Sequence, residues 1–148
     1  MEIEIPKQLQ NKEFKFIRLG SKSKNPLKGI KWKENMYAYD NPILLQHLKR
    51  GGNYGVVAGY GKLRILDVDN LELAERIFEK TSTFTVKSCG GGYHFYFLSD
   101  DKENRTSSNG EYRAMNQYCV GPNCYADDEK KNHHGFYVII KNIEIKNE

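Results

Sequence analysis

Apolar and polar residues alternate along several stretches of the chain in the way that β-strands require. Residues 13–19 (EFKFIRL) show this alternation, whereas residues 53–58 (NYGVVA) and 63–68 (LRILDV) are short, largely apolar runs of strand length. A tight turn at residues 59–62 separates the last two runs, which predicts that they form a hairpin. Further strands are predicted at residues 83–87, 93–98, 111–114, 117–120 and 136–140.

Two segments show helical spacing instead. Residues 42–50 follow Asp40 or Asn41, either of which can cap a helix, and the pattern stops at two glycines. Residues 71–80 (LELAERIFEK) follow Asn70 as N-cap and place their large apolar side chains on one face. Together with the strands, these segments predict an α+β fold with a mostly antiparallel sheet flanked by a few helices.

Composition and charge place only a few further limits on the class of protein. The chain has 148 residues, 39% of them hydrophobic and 28% charged, which is typical of a single domain spanning residues 1–148. No apolar run approaches the roughly 20 residues that span a bilayer, and the N-terminus lacks the pattern of a secretory signal. We therefore expect a cytoplasmic protein without a membrane partner. The net charge of +4 permits a nucleic-acid partner without requiring one.

The first candidate site lies where the run 63–68 ends. Side chains alternate along a strand, so Asp67 and Asp69 are expected on one face, with their Cα atoms about 6–7 Å apart. Two such carboxylates repel each other unless a cation or a donor group lies between them. Carboxylate oxygens suit Mg²⁺ or Mn²⁺ held together with substrate phosphates. The alternative is a polar strand end that leads into the next helix.

The second candidate is the glycine turn before the strand at 93–98. Gly90–Gly92 allow the backbone to approach a ligand closely, and His94 follows directly. The strand alternation gives an aromatic face suited to the core and an opposite face that presents the imidazole. This ring can donate a hydrogen bond to a nucleotide oxygen. A structural histidine beside a turn is the alternative.

The third candidate is Glu111-Tyr112-Arg113, where an acid and a base alternate on one strand face. Glu111 can complete a set of three carboxylates, and Arg113 can bind a phosphate through its planar guanidinium group. A surface ion pair is the alternative.

The order of these motifs resembles the bifunctional DNA primase/polymerase (prim-pol) domain of the archaeo-eukaryotic primase superfamily. Such domains carry an acid–x–acid strand ending, a small–x–His strand and a late acidic position. The corresponding residues here are Asp67 and Asp69, Gly92-Tyr93-His94, and Glu111, which stands where Asp is more usual. A Lys–x–Pro element before the first helix matches Lys24-Asn25-Pro26, and an arginine after the third acid matches Arg113. The resemblance spans roughly residues 14 to 140.

This resemblance implies a primase-like catalytic core with an RRM-like half. It implies template-directed nucleotidyl transfer, as DNA primase, DNA polymerase or both, by a two-metal mechanism. The catalytic residues would be Asp67, Asp69, Glu111 and His94, and the three carboxylates would bind Mg²⁺ or Mn²⁺. The nucleotide would contact His94, Gly91, Gly92, Lys24, Arg113 and Lys87. Expected partners are a single-stranded DNA template, a primer, NTPs or dNTPs, and a helicase or accessory helical domain.

The sequence leaves two alternative functions open and disfavours a third function and a structural zinc site. A non-catalytic replication initiator or single-stranded-DNA-binding module can use the same fold, and a metal-dependent nuclease can use the same acids. A rolling-circle nuclease fits poorly, because His133 and His134 are adjacent rather than separated by one residue. A structural zinc site at Cys119, Cys124 and these histidines is not expected, because Cys119 lies within a predicted strand.

Overall fold

The computed structural model describes residues 2–148 and contains two helices and twelve strands within that range. The helices are α1 (Pro42–Lys49) and α2 (Leu71–Lys80), and short 3-10 turns occupy Lys7–Leu9 and Trp32–Glu34. The strands are β1 (Lys15–Leu19), β2 (Asn53–Ala58), β3 (Leu63–Val68), β4 (Thr85–Lys87), β5 (Tyr93–Leu98), β6 (Arg105–Ser107), β7 (Gly110–Arg113), β8 (Gln117–Val120), β9 (Tyr125–Asp128), β10 (His133–Phe136), β11 (Val138–Lys141) and β12 (Lys146–Asn147).

The strands form a small sheet, a large sheet and a separate hairpin. The small sheet has the order β1-β2-β8, and β9 pairs with β10 alone. The large sheet has the order β11-β4-β5-β3-β7-β6, with β12 alongside β5. Only the β12–β5 pairing is parallel among the described residues 2–148. The predicted α+β fold with a mostly antiparallel sheet is therefore confirmed.

Part of the large sheet has the split β-α-β arrangement found in RRM-like folds. Strands β3 and β4 both pair antiparallel with β5, so they run parallel to each other with β5 between them. The connection between β3 and β4 runs through α2. This arrangement agrees with the RRM-like half that the resemblance implied.

The predicted hairpin between β2 and β3 is wrong. The turn at residues 59–62 does form, with the Leu63 N–H donating to the Tyr60 carbonyl at 3.1 Å. However, β2 pairs with β1 and β8, whereas β3 pairs with β5 and β7. The turn thus carries the chain from the small sheet to the large one. All six residues of β2 and four of the six residues of β3 are buried, which explains why both runs are so apolar.

Two hydrophobic clusters lie on opposite faces of the large sheet. The main cluster joins side chains of both sheets and of α1, and it includes Leu63 and Ile65 of β3. The second cluster lies under α2 and includes Val68 of β3 together with Phe95 and Phe97 of β5. Because side chains alternate along β3, Asp67 points to the same side as Leu63 and Ile65. Asp67 therefore lies near the end of β3, on the same face of the sheet as the main cluster.

Both helices begin at the predicted caps. The Ile43 N–H donates to the Asn41 side chain at 2.8 Å, which resolves the choice between Asp40 and Asn41. The Leu73 N–H donates to the Asn70 side chain at 3.0 Å. Within residues 2–148, neither helix has the length and apolar character that crossing a bilayer requires.

Candidate active site

An open cleft of about 590 Å³ lies at the end of β3. Its walls come from the lysine-rich segment before α1 (residues 22–33), the glycine turn before β5, strands β7 and β8, and the tip of the β9–β10 hairpin. Four sequence-predicted catalytic residues line it, namely Asp67, Asp69, His94 and Glu111. Of the predicted nucleotide-binding residues, Lys24, Gly92, His94 and Arg113 also line it.

Strand register places three of these residues in one row across the large sheet. Asp67 lies opposite His94 in the β3–β5 pairing and opposite Glu111 in the β3–β7 pairing. Residues directly opposite each other in neighbouring strands direct their side chains to the same face. Asp67 is thus the centre of a row of Asp67, His94 and Glu111, the acidic row, whose members come from three separate sequence motifs.

Asp67 contacts two basic side chains through different oxygens. Its Oδ1 lies 3.4 Å from His94 Nε2, and its Oδ2 lies 3.3 Å from Arg113 Nη2. The same Arg113 nitrogen lies 3.3 Å from Glu111 Oε1. One cationic group is therefore shared between the two carboxylates, which reduces their repulsion.

These neighbours keep the buried Asp67 carboxylate ionised. Burial raises the pKa of Asp67, but the His94 ring and the Arg113 guanidinium lower it by more, so the pKa ends well below its ordinary value. An ionised carboxylate with only 16% of its side chain exposed is a strong attractor for cations.

Asp69 occupies a different environment from Asp67. It lies just beyond the last residue of β3, is exposed, and still lines the cleft. Its N–H donates to the Asn109 carbonyl at 2.8 Å, which fixes the backbone at this point. Asp67 is therefore largely buried, whereas Asp69 lies at the mouth of the cleft.

Two glycines allow neighbouring strands to press against the end of β3. A Cβ atom on Gly92 would overlap the Val68 carbonyl, and one on Gly110 would overlap the Asp67 carbonyl. Gly110 also has a positive φ of +147°. Gly92 was predicted to allow close approach of a ligand, and in the structure it also allows close approach of β3.

Two of the predicted nucleotide-binding residues lie outside the cleft lining. Gly91 has a φ of +96° at the tip of the turn, and a Cβ atom there would meet open space. Lys87 is the exposed last residue of β4, where it pairs with Tyr93 and Val138. Lys24 lines the cleft, with its Nζ 3.0 Å from Asp128 of β9.

Lys131 and His133 are cleft residues that were not predicted from the sequence. Both line the cleft from the β9–β10 hairpin, and His133 packs so closely on Gly90 that a Cβ atom there would overlap its ring. Neither residue has a spacing signal in the sequence, because both reach the cleft only through the folded β9–β10 hairpin.

Cys119, Cys124, His133 and His134 are not grouped as a structural zinc site would require. Cys124 contacts the backbone of Tyr54, with its thiol 3.7 Å from the Tyr54 carbonyl, and His134 is held by Asp127. Cys119 instead faces the acidic row. Among residues 2–148, the one group of three potential metal ligands is Asp67, His94 and Cys119, whose ligand atoms lie within 4.8 Å of one another.

Comparison with known proteins identifies a family for this chain. The family described as bifunctional DNA primase/polymerase, N-terminal, matches residues 7–144, which is nearly the whole chain. No curated protein matches the chain. The family match includes every residue of the acidic row and every strand of both sheets except β12. The chain therefore belongs to the bifunctional DNA primase/polymerase family.

Proposed function

We propose that this chain catalyses template-directed nucleotidyl transfer, as a DNA primase, a DNA polymerase or both. Asp67, Asp69 and Glu111 would bind divalent cations, and His94 would contact the incoming nucleotide. The observation that carries this proposal is the row of Asp67, His94 and Glu111 across three adjacent strands, in a cleft that Asp69 also lines. The family match supports the same chemistry.

The donor groups of the acidic row fit magnesium or manganese. Asp67 and Glu111 both lie 3.3 Å from one guanidinium nitrogen of Arg113, so their oxygens converge on one point, which Arg113 would vacate for a metal ion. Asp69 adds a third carboxylate at the mouth of the cleft. Carboxylate oxygens are the ligands that Mg²⁺ and Mn²⁺ prefer. When bound, such ions make a 3′-hydroxyl a better nucleophile and neutralise charge on a triphosphate.

The chain's own residues would orient the nucleotide in this cleft. His94 is 5% exposed and lies beside the acids, so it can donate a hydrogen bond to a phosphate oxygen at the reacting end. Lys24 and Lys131 place ammonium groups along the walls, where they can hold phosphates. Gly90 and Gly92 line the cleft and can offer backbone N–H groups to the same phosphates, whereas the Gly91 N–H already donates to the Ser88 carbonyl at 3.0 Å.

Two aromatic residues offer a surface for the less polar part of a substrate. Trp32 and Tyr118 line the cleft and pack edge to face, with ring centroids 5.3 Å apart. The Tyr118 hydroxyl donates to the Lys24 carbonyl at 2.8 Å, which ties this pair to the lysine-rich segment. Bases stack on aromatic rings without a strong sequence preference. We propose that this pair contacts a base or sugar of the nucleotide or template.

Primer extension on a DNA template tests the proposal. Asp67→Asn and Asp69→Asn keep the shape of each side chain and remove its charge. Each change should lower extension with Mg²⁺ or Mn²⁺ by about 10³-fold or more, because charge stabilisation in the transition state is lost. Asp100→Asn is the matched control, since Asp100 pairs with Lys62 on the surface and does not line the cleft.

Other outcomes would favour a different function. A folded wild type that binds single-stranded DNA but extends no primer with either metal would favour the initiator or DNA-binding module. Degradation of the primer instead of extension, lost in the same variants, would favour a metal-dependent nuclease. Omitting the primer from an active reaction would then show whether the enzyme starts chains.

A further inference from the structure

A sulfur ligand lies next to the buried end of the acidic row. Asp67 and His94 belong to the large sheet, whereas Cys119 belongs to β8 of the small sheet. Their ligand atoms lie within 4.8 Å of one another, and Cys119 lines the cleft although it is only 4% exposed. The cluster is therefore assembled by the packing of the two sheets and can be reached from the cleft.

Hydrogen bonding within the protein leaves the His94 ring unsatisfied. Its Nε2 lies 3.4 Å from Asp67 Oδ1, which is longer than a good hydrogen bond. Its Nδ1 is buried and has no hydrogen-bond partner among residues 2–148. Nε2 therefore lacks a good partner within the protein and is available to bind an ion, although an ion bound there would leave Nδ1 unchanged.

The distances suit a tetrahedral ion. Bonds of about 2.0–2.1 Å place two nitrogen or oxygen ligands of such an ion about 3.4 Å apart, and His94 Nε2 and Asp67 Oδ1 are 3.4 Å apart. A sulfur at about 2.3 Å from the ion would lie about 3.6 Å from the other two ligands. An adjustment of about 1 Å therefore brings Cys119 into position from its separation of at most 4.8 Å.

We propose that Asp67, His94 and Cys119 form a binding site for a thiophilic divalent ion of the Zn²⁺ class. Thiolate and imidazole ligands select zinc, cobalt or cadmium, whereas magnesium takes oxygen ligands. Water from the cleft would supply the fourth position. Binding converts the Cys119 thiol to a thiolate, and the released proton passes to solvent.

This site shares Asp67 with the magnesium site of the proposed function, so the two cannot be filled independently. An ion beside Asp67 Oδ1 leaves the Arg113 contact to Oδ2 in place. It also holds His94, which would otherwise contact the nucleotide. The effect on activity rests on the proposed function and is inhibition by zinc, whereas the binding itself does not depend on that function.

Cobalt titration monitored by absorption tests the binding directly. The wild type should show a thiolate-to-cobalt charge-transfer band and the intense visible bands of a tetrahedral ion. Cys119→Ser should remove the charge-transfer band and weaken cobalt binding by more than about 100-fold, since losing a direct ligand exceeds the effect of altering a supporting residue. Cys124→Ser is the matched control, because Cys124 is equally buried but contacts the Tyr54 backbone.

A second measurement on the wild type avoids the risk that Cys119→Ser misfolds. Zinc should slow alkylation of Cys119 at least tenfold, read by mass spectrometry, while Cys89 and Cys124 serve as internal references. Equal alkylation of Cys119 with and without zinc, or a cobalt spectrum without a thiolate band, would overturn the proposal.

Activity assays separate this proposal from the proposed function. In an active enzyme, zinc should inhibit extension in the wild type and should do so at least tenfold less strongly in Cys119→Ser. A thiolate–cobalt band in a protein that extends no primer would support the zinc-class site and count against the polymerase. Primer extension by a protein that shows no such band would support the polymerase and count against the zinc-class site.

Discussion

Asp67 shows how one side chain can be buried and ionised at once. Burial raises its pKa, and the charges of His94 and Arg113 lower it by a larger amount. Folding therefore favours the ionised form. Each partner takes a separate oxygen, His94 beside Oδ1 and Arg113 beside Oδ2, so the carboxylate is held at a fixed orientation in the row. The charge that binds a cation is thus also a charge that stabilises the fold.

The lowered pKa of Asp67 predicts a pH dependence of stability. A group whose pKa is lower in the folded state stabilises the protein above its unfolded pKa, about 4 for Asp. That contribution is lost as the pH falls from about 4 toward the folded pKa. At pH 7, Asp67→Asn should lower the free energy of unfolding by about 1 kcal/mol or more. The difference from the wild type should shrink as the pH falls below 4.

Urea unfolding at several pH values between 3 and 7 measures this effect, without added metal. An Asn variant as stable as the wild type at pH 7 would show that burial, rather than the two basic partners, dominates at Asp67. Asp100→Asn again serves as control, because Asp100 lies on the surface.

Most elements could be predicted from the sequence, but their pairing could not. The apolar runs and caps located α1, α2, β2, β3 and β5 to within a few residues. The hairpin between β2 and β3 was wrong because short connections favour pairing, whereas these strands find partners far along the chain. The exposed strand β6 was not predicted, because it has no apolar pattern to reveal it.

The same distinction applies to the site. Local spacing brought Asp67 and Asp69 together, and the motif order added His94 and Glu111 through a family resemblance. Cys119 could not be connected to them, because it reaches the row only through packing of the small sheet on the large one. A residue that approaches from a different sheet leaves no spacing signal.

Close packing of β7 on β3 predicts a severe effect at Gly110. Gly110→Ala adds a Cβ atom that overlaps the Asp67 carbonyl, and it does so at a positive φ of +147°. We expect a loss of about 3 kcal/mol or more in the free energy of unfolding, combining backbone strain with a displaced strand.

Gly51→Ala is the matched control for this prediction. Gly51 also has a positive φ, +90°, but a Cβ atom there meets open space. The control should cost only about 1 kcal/mol. Thermal or urea unfolding of both variants makes the comparison, and equal losses would mean that the contact with β3 contributes nothing.

At the scale of the whole molecule, the cleft depends on both sheets and on segments far apart in sequence. Lys24 enters from the segment before α1, the acids from β3 and β7, and Lys131 from the β9–β10 hairpin. The ion pair between Lys24 and Asp128 joins the first of these segments to the last. No short fragment of the chain therefore contains the site.

The central position of β3 sets how long the active-site geometry persists. Its backbone is paired on one side with β5 and on the other with β7, so its amides are released only when one of these ladders opens. In hydrogen-exchange measurements, the β3 amides should exchange with an opening free energy equal to that of global unfolding. The amides of the exposed edge strand β6 should exchange with a much smaller opening free energy. Similar protection in β3 and β6 would contradict this. The acidic row should therefore not open by local unfolding. It should persist for as long as the protein stays folded.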